Sequence, residues 1–192
     1  MPAGPEALPR EARAAVDEYL AALDAALPRI ARGIYVTGSA VLGDWQPRRS
    51  DLDILTVTER RLTGADMDAL DALHAGIPGR PYRDAMYIPA EAVGKRGAGP
   101  ADPAGRYPSA VDGVFHRARY RPDPVLWATL DRHGLTLRGP AASSSSLVYA
   151  INVPNHAPIL LGAMYISWAG SSRTARRSAV GAHQLNVPRL RA

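Results

Sequence analysis

The sequence contains no cysteine, which excludes disulfides, thiolate zinc sites and cysteine nucleophiles. A long apolar run is also missing: the C-terminal stretch from Ile159 to Trp168 falls well short of the ~20 residues a membrane-spanning helix needs. The opening residues MPAGPEALPREARAA lack a basic segment followed by an apolar core, so no secretory leader and no membrane partner are expected and the chain is assigned to the cytoplasm. Acid is absent from the last 50 positions. All 18 acidic residues lie in 1–142 beside 18 of the 23 basic ones, so the net charge of +5 belongs wholly to the five arginines of 143–192. A neutral body does not offer the clustered phosphate contacts of a nucleic-acid track, and no nucleic-acid partner is expected.

Within 192 residues, enough for one domain with a core or a small domain plus an appendage, the most informative stretch is IYVTGSAVLGDWQPRRSDLDILTVT, residues 34–58. Ile34 to Thr37 reads as a strand ending at Gly38-Ser39, and Asp51-Leu52-Asp53 opens a second β-branched run, Ile54 to Val57. Alternation along that strand places Asp51 and Asp53 on one face and Leu52 and Ile54 on the other. Converging like charges need a cation, and two carboxylates plus substrate phosphates suit Mg²⁺. The turn at Gly38-Ser39 brings backbone amides and a hydroxyl to the same point, with no side chain on the glycine to obstruct a phosphate. A helical turn is expected over Ala40 to Trp45, which would aim a helix N-terminus at an anion.

Apolar residues at helical spacing predict an amphipathic helix over Ala12 to Leu27, ended by Pro28. A second helix is expected over Ala65 to Ala75, with His74 near its C-terminus, where it interacts favourably with the dipole. Residues 77–81 are turn chemistry. Tyr82 to Ile88 reads as a third strand with Tyr82, Asp84, Met86 and Ile88 on one face. Aspartate is depleted in strands, so Asp84 has two readings: an edge-strand residue paired with Arg80 or Arg83, or a third member of the carboxylate cluster acting as ligand or base. Residues 91–110 read as an irregular loop, Val111 to Tyr120 as one further strand, Pro124 to His133 as a helix capped by Asp123, and Leu135 to Leu137 as a last short strand. Trp127 and Leu130 are expected in the core. His116 stays ambiguous.

Four stretches, GSAVLGDWQPRRSDLDIL (38–55), YRDAMYI (82–88), DGVFH (112–116) and DPVLWATLDRHGLTLRGP (123–140), together resemble the aminoglycoside nucleotidyltransferases of the streptomycin/spectinomycin adenylyltransferase type. The resemblance covers roughly residues 12–140. It implies an α/β, nucleotidyltransferase-type (DNA polymerase beta-like) mixed sheet with flanking helices, and metal-dependent transfer of AMP from ATP to a hydroxyl of an aminoglycoside. Carried over by position, it makes Gly38 and Ser39 the triphosphate-contacting turn, Ser50 a further phosphate contact, Asp51 and Asp53 the Mg²⁺ ligands, and Asp84 the catalytic base where the family has a glutamate.

The resemblance stops near Pro140. The family continues into a helical domain, whereas this chain is expected to consist of a catalytic domain over 1–142 and an irregular basic tail over 143–192, read out of frame, recombined or disordered. Three functions therefore stay open. They are adenylyl transfer to an aminoglycoside, the same chemistry on a protein or RNA acceptor, and a catalytically impaired remnant. Oligomeric state is open as well.

Overall fold

The computed structural model describes residues 4–77, 79–93, 105–122 and 124–142. The expected tail over 143–192 and the expected cap Asp123 lie outside the described residues.

Helix α1 spans Arg10–Ala26 and strand β1 Ala31–Thr37, with the short helix α2 at Ser39–Leu42. Strand β2 spans Leu52–Thr58, α3 Gly64–Gly76, β3 Arg83–Pro89, β4 Tyr107–Val111, β5 Val114–Tyr120, α4 Pro124–His133 and β6 Leu135–Arg138. The six strands form one sheet in the order β5-β4-β3-β2-β1-β6. Strands β2 and β3 are parallel, as a crossover through α3 requires, and the remaining pairs are antiparallel. This mixed sheet with flanking helices is the α/β architecture expected from the sequence.

Each face of the sheet has its own core. On one face, Val16, Tyr19 and Leu23 of α1 and Leu70 and Leu73 of α3 cover Ile34, Val36, Ile54, Ala85 and Tyr87. On the other, Leu126 and Leu130 of α4 cover Tyr35, Leu55, Val57, Met86 and Ile88, with Trp127 partly buried beside them. Every residue of β2 is buried. At about 2 kcal/mol for each fully buried large aliphatic side chain, these two clusters decide which strand faces turn inward. Helix α3 is further fixed at its start. The Thr63 hydroxyl accepts from the Asp66 amide at 3.2 Å while Asp66 accepts from the Thr63 amide at 2.7 Å, a capping box that satisfies two otherwise orphaned donors.

The face under α1 and α3 also holds a buried polar chain. Thr56 Oγ1 lies 2.8 Å from Tyr19 Oη, the Tyr19 hydroxyl donates to Tyr87 Oη at 3.1 Å, and Tyr87 Oη lies 2.8 Å from His74 Nε2. Tyr19 gives its one proton to Tyr87, so Thr56 is the donor to Tyr19, and the imidazole tautomer sets which way the Tyr87–His74 bond runs. Burial pulls the His74 pKa down to about 4, with the Arg83 charge acting in the same direction. The ring stacks on Phe115, with centroids 6.1 Å apart. His74 is thus a satisfied core histidine.

Three expectations are corrected. The stretch 91–110 is not all loop: Tyr107–Val111 is β4, set between β3 and β5, and the Pro108 within it weakens the local strand signal. Residues 111–120 are not one strand, because Asp112 (φ 53°) and Gly113 (φ 78°) make a two-residue turn between β4 and β5. Positive φ at both turn positions matches the right-handed strand twist, and Asp-Gly is the dipeptide that tolerates it. The expected helix over 40–45 is only Ser39–Leu42, ended by Gly43 in the left-handed region.

Candidate active site

The site lies on the α4 side of the sheet, at the start of two central strands. Alternation from Leu55 and Val57, which face α4, puts Asp53 on that side of β2, and the same count from Met86 and Ile88 puts Asp84 on that side of β3. In the parallel register Asp53 stands directly beside Asp84, and β1 places Thr37 on the other side of Asp53. The turn after Thr37 then runs over the carboxylate. Gly38 has φ 69° and ψ −153°, and a Cβ built on it would sit 2.0 Å from Asp53 Oδ2. No side chain fits there, and the backbone conformation is open essentially to glycine alone. Ser39 begins α2 at this turn.

Ser50 closes the approach to β2. Its Oγ accepts from the Gln46 amide at 2.9 Å and its own amide donates to the Gln46 carbonyl at 2.9 Å, pinning residues 46–50. Asp51 follows, and its Oδ1 accepts from Arg80 Nη1 at 2.7 Å and from the Tyr82 amide at 3.4 Å. Asp84 Oδ1 accepts from the Asp112 amide at 2.9 Å. The β4–β5 turn therefore holds Asp84 in place.

The electrostatics are those of crowded acid. Burial, and then the charges of Asp84 and Asp51, push the Asp53 carboxyl well above its ordinary range. Burial, and then Asp51, lift Asp84 to about 7, against the opposing Asp112 amide and Arg80. Burial also raises Asp51, and Arg80 is the largest influence opposing it. Such clusters of oppressed carboxylates concentrate at functional sites. Among the described residues no three acidic, histidine or cysteine side chains are preassembled as a complete metal cage. The donor set nevertheless suits a hard cation, because Mg²⁺ is usually held by one or two carboxylates with the rest supplied by water and substrate phosphates.

Asp51, Asp53, Asp84, Gly38 and Ser50 thus all border one end of the β2–β3 pair, with Ser39 one residue beyond. The alternative reading of Asp84 as an edge-strand residue paired with Arg80 or Arg83 does not hold. Strand β3 is internal, Arg80 pairs with Asp51, and Arg83 is buried on the opposite face in an ion pair with Glu18. His116 stands opposite Ser109, which in turn stands opposite Met86, so it shares the α4 side of the sheet with Asp84. Sequence reasoning weighed Arg80 only as a partner of Asp84 and missed its pairing with Asp51. It sits in the turn sequence I77-P-G-R-P81, where nothing local marks a cation as special.

Residues 16–85 match the family model described as Nucleotidyltransferase domain. That stretch holds all six of the candidate residues. No curated protein sequence matches the chain. Among solved structures, the chain is similar to a spectinomycin adenyltransferase, AAD(9), from Enterococcus faecialis solved with ATP and spectinomycin. The identity is 16%, 81% of this chain and 64% of that one are covered, and the TM-score is 0.49. It is also similar to a toxin-antitoxin structure solved with AMP-PNP, at 16% identity over 86% of this chain and 98% of that chain, TM-score 0.38. A third is a tri-AMPylated HEPN toxin in complex with MNT antitoxin from Shewanella oneidensis, at 14% identity over 89% of this chain and 99% of that chain, TM-score 0.37.

Proposed function

We propose that this chain, whose residues 16–85 carry a nucleotidyltransferase domain, transfers AMP from ATP to a hydroxyl of an aminoglycoside. The observation that supports this reading is the meeting of Asp51, Asp53 and Asp84 on neighbouring strands under a turn where Gly38 leaves the backbone bare against Asp53. Asp51 and Asp53 would hold Mg²⁺, which when bound neutralises triphosphate charge and polarises the α-phosphate. Gly38 would let the chain approach the triphosphate, and Ser39 and Ser50 would donate hydroxyl protons to phosphate oxygens. Asp84 accepts the proton of the acceptor hydroxyl. The hydroxyl oxygen bonds to the α-phosphorus, the bond from that phosphorus to the bridging oxygen breaks, and pyrophosphate leaves with the electron pair. A carboxylate raised to about 7 is matched to base catalysis near neutral pH.

The test incubates the full chain with radiolabelled ATP, Mg²⁺ and streptomycin or spectinomycin, and reads both drug and protein by mass spectrometry. The drug is expected to gain one AMP. Asp84→Asn is expected to abolish the gain, and Asp84→Glu, which restores about 1 Å of reach, to raise turnover by up to about a hundredfold. Label appearing instead on a protein or RNA added to the mixture would keep the chemistry and change the acceptor. Absence of any transfer by a folded sample would leave the impaired-remnant reading.

A further inference from the structure

The ion pair on Asp51 has a more specific construction than charge balance requires. Arg80 Nη1 reaches Asp51 Oδ1 at 2.7 Å and the Arg49 carbonyl at 3.0 Å, and the guanidinium carbon lies 4.7 Å from the centre of the Tyr82 ring. The Tyr82 amide points at the same carboxylate oxygen. Three contacts thus hold one cation on Asp51, the carboxylate just before β2 and two residues from Asp53. Neither Asp53 nor Asp84 forms an ion pair among the described residues. Oδ1, one of the two oxygens that Asp51 could offer a divalent metal, already carries both contacts, and the Arg80 charge offsets that of the carboxylate. The Arg80 side chain is nevertheless 33% exposed while that of Asp51 is 11% exposed, so the guanidinium can leave toward solvent and the carboxylate cannot follow. A planar guanidinium binds phosphate as readily as carboxylate.

We infer that Arg80 is an internal counter-ion that metal displaces from Asp51 and that moves onto the arriving triphosphate, so that metal and nucleotide bind as a coupled pair. This rests on the metal-nucleotide reading of the site. Before nucleotide arrives, Arg80 competes with the metal. Once nucleotide is present, it has a better partner in the phosphates, and Asp51 is released. Linkage makes the effect reciprocal: each of the two ligands then improves the site for the other.

The experiment compares the full-length wild type with Arg80→Gln and Arg80→Lys, using Mn²⁺ as a paramagnetic stand-in for Mg²⁺ and AMP-PNP as a non-transferable nucleotide. Losing a charge-assisted contact of this kind is expected to tighten Mn²⁺ binding without nucleotide by about tenfold, and to weaken AMP-PNP binding at saturating Mn²⁺ by about tenfold. Arg80→Lys should fall between, keeping the charge and losing the fork. Opposite signs are the diagnostic, since a merely structural role would weaken both affinities together. Any other pairing of the two changes in a folded variant, or a Lys variant that binds Mn²⁺ as tightly as Gln does, overturns the role of Arg80. The metal-nucleotide reading survives that result provided Asp51→Asn/Asp53→Asn abolishes Mn²⁺ binding. Failure of folded wild type to bind Mn²⁺ with or without AMP-PNP overturns both.

Discussion

The two faces of the sheet treat polar groups in opposite ways. Under α1 and α3, Thr56, Tyr19, Tyr87 and His74 form a buried chain in which every hydroxyl has a partner. Under α4, at the start of β2 and β3, three carboxylates crowd together and burial raises all three. Fully satisfied buried networks rigidify a fold, whereas unsatisfied like charges cost stability. The first face therefore specifies the structure, and the second carries the unfavourable charge that the proposed metal-nucleotide site would use. Local inconsistency of that kind is what functional sites are expected to show.

The sharpest way to break this contrast is to neutralise one carboxylate. Asp53→Asn is expected to reduce adenylyl transfer by about a hundredfold to a thousandfold, as loss of a transition-state charge contact does. It should at the same time raise the metal-free Tm by about a few degrees, because a buried like charge is gone. Transfer assays and calorimetry on the same sample check both signs, and a fall in Tm would deny that the charge is under strain.

The next largest effect belongs to the other face and is read with pH. His74 falls from an ordinary 6.5 to about 4 in the folded state. Between these values the unfolded chain binds more protons than the folded one, so stability rises with pH. The contribution is fully present above about pH 6.5 and is lost as pH falls toward 4, to a total on the order of 3 kcal/mol. Denaturant titrations from pH 7 to 4.5 should show this loss in the wild type and its absence in His74→Gln. A smaller change sharpens the contrast further. Tyr87→Phe removes the hydroxyl between Tyr19 and His74 and is expected to cost about 1–3 kcal/mol, while turnover per folded molecule stays unchanged. An equal loss of stability and of turnover would mean the two faces are not separable.

Much of the site was legible because it is local. Period-two alternation alone puts Asp51 and Asp53 on one face, and Gly38-Ser39 announces itself as a small-residue turn between strands. Other signals were present but outweighed. The Asp112-Gly113 hairpin turn was in plain view inside a run read as one strand, and Pro108 obscured β4. The pairing of Arg80 with Asp51 could not have been found this way, since it spans 29 positions and depends on how two distant turns meet.

By itself, then, the sequence determined the elements flanking the site and the Asp51 and Asp53 carboxylates at the start of β2, because propensity, alternation and turn chemistry act over a few neighbouring residues. Only the tertiary structure decided that Asp84 lies beside Asp53, that the Asp112 amide holds Asp84, and that Arg80 sits on Asp51. Those three facts depend on strand order and register. Order and register are chosen by burial of the two apolar clusters, a long-range balance that no local run of residues contains.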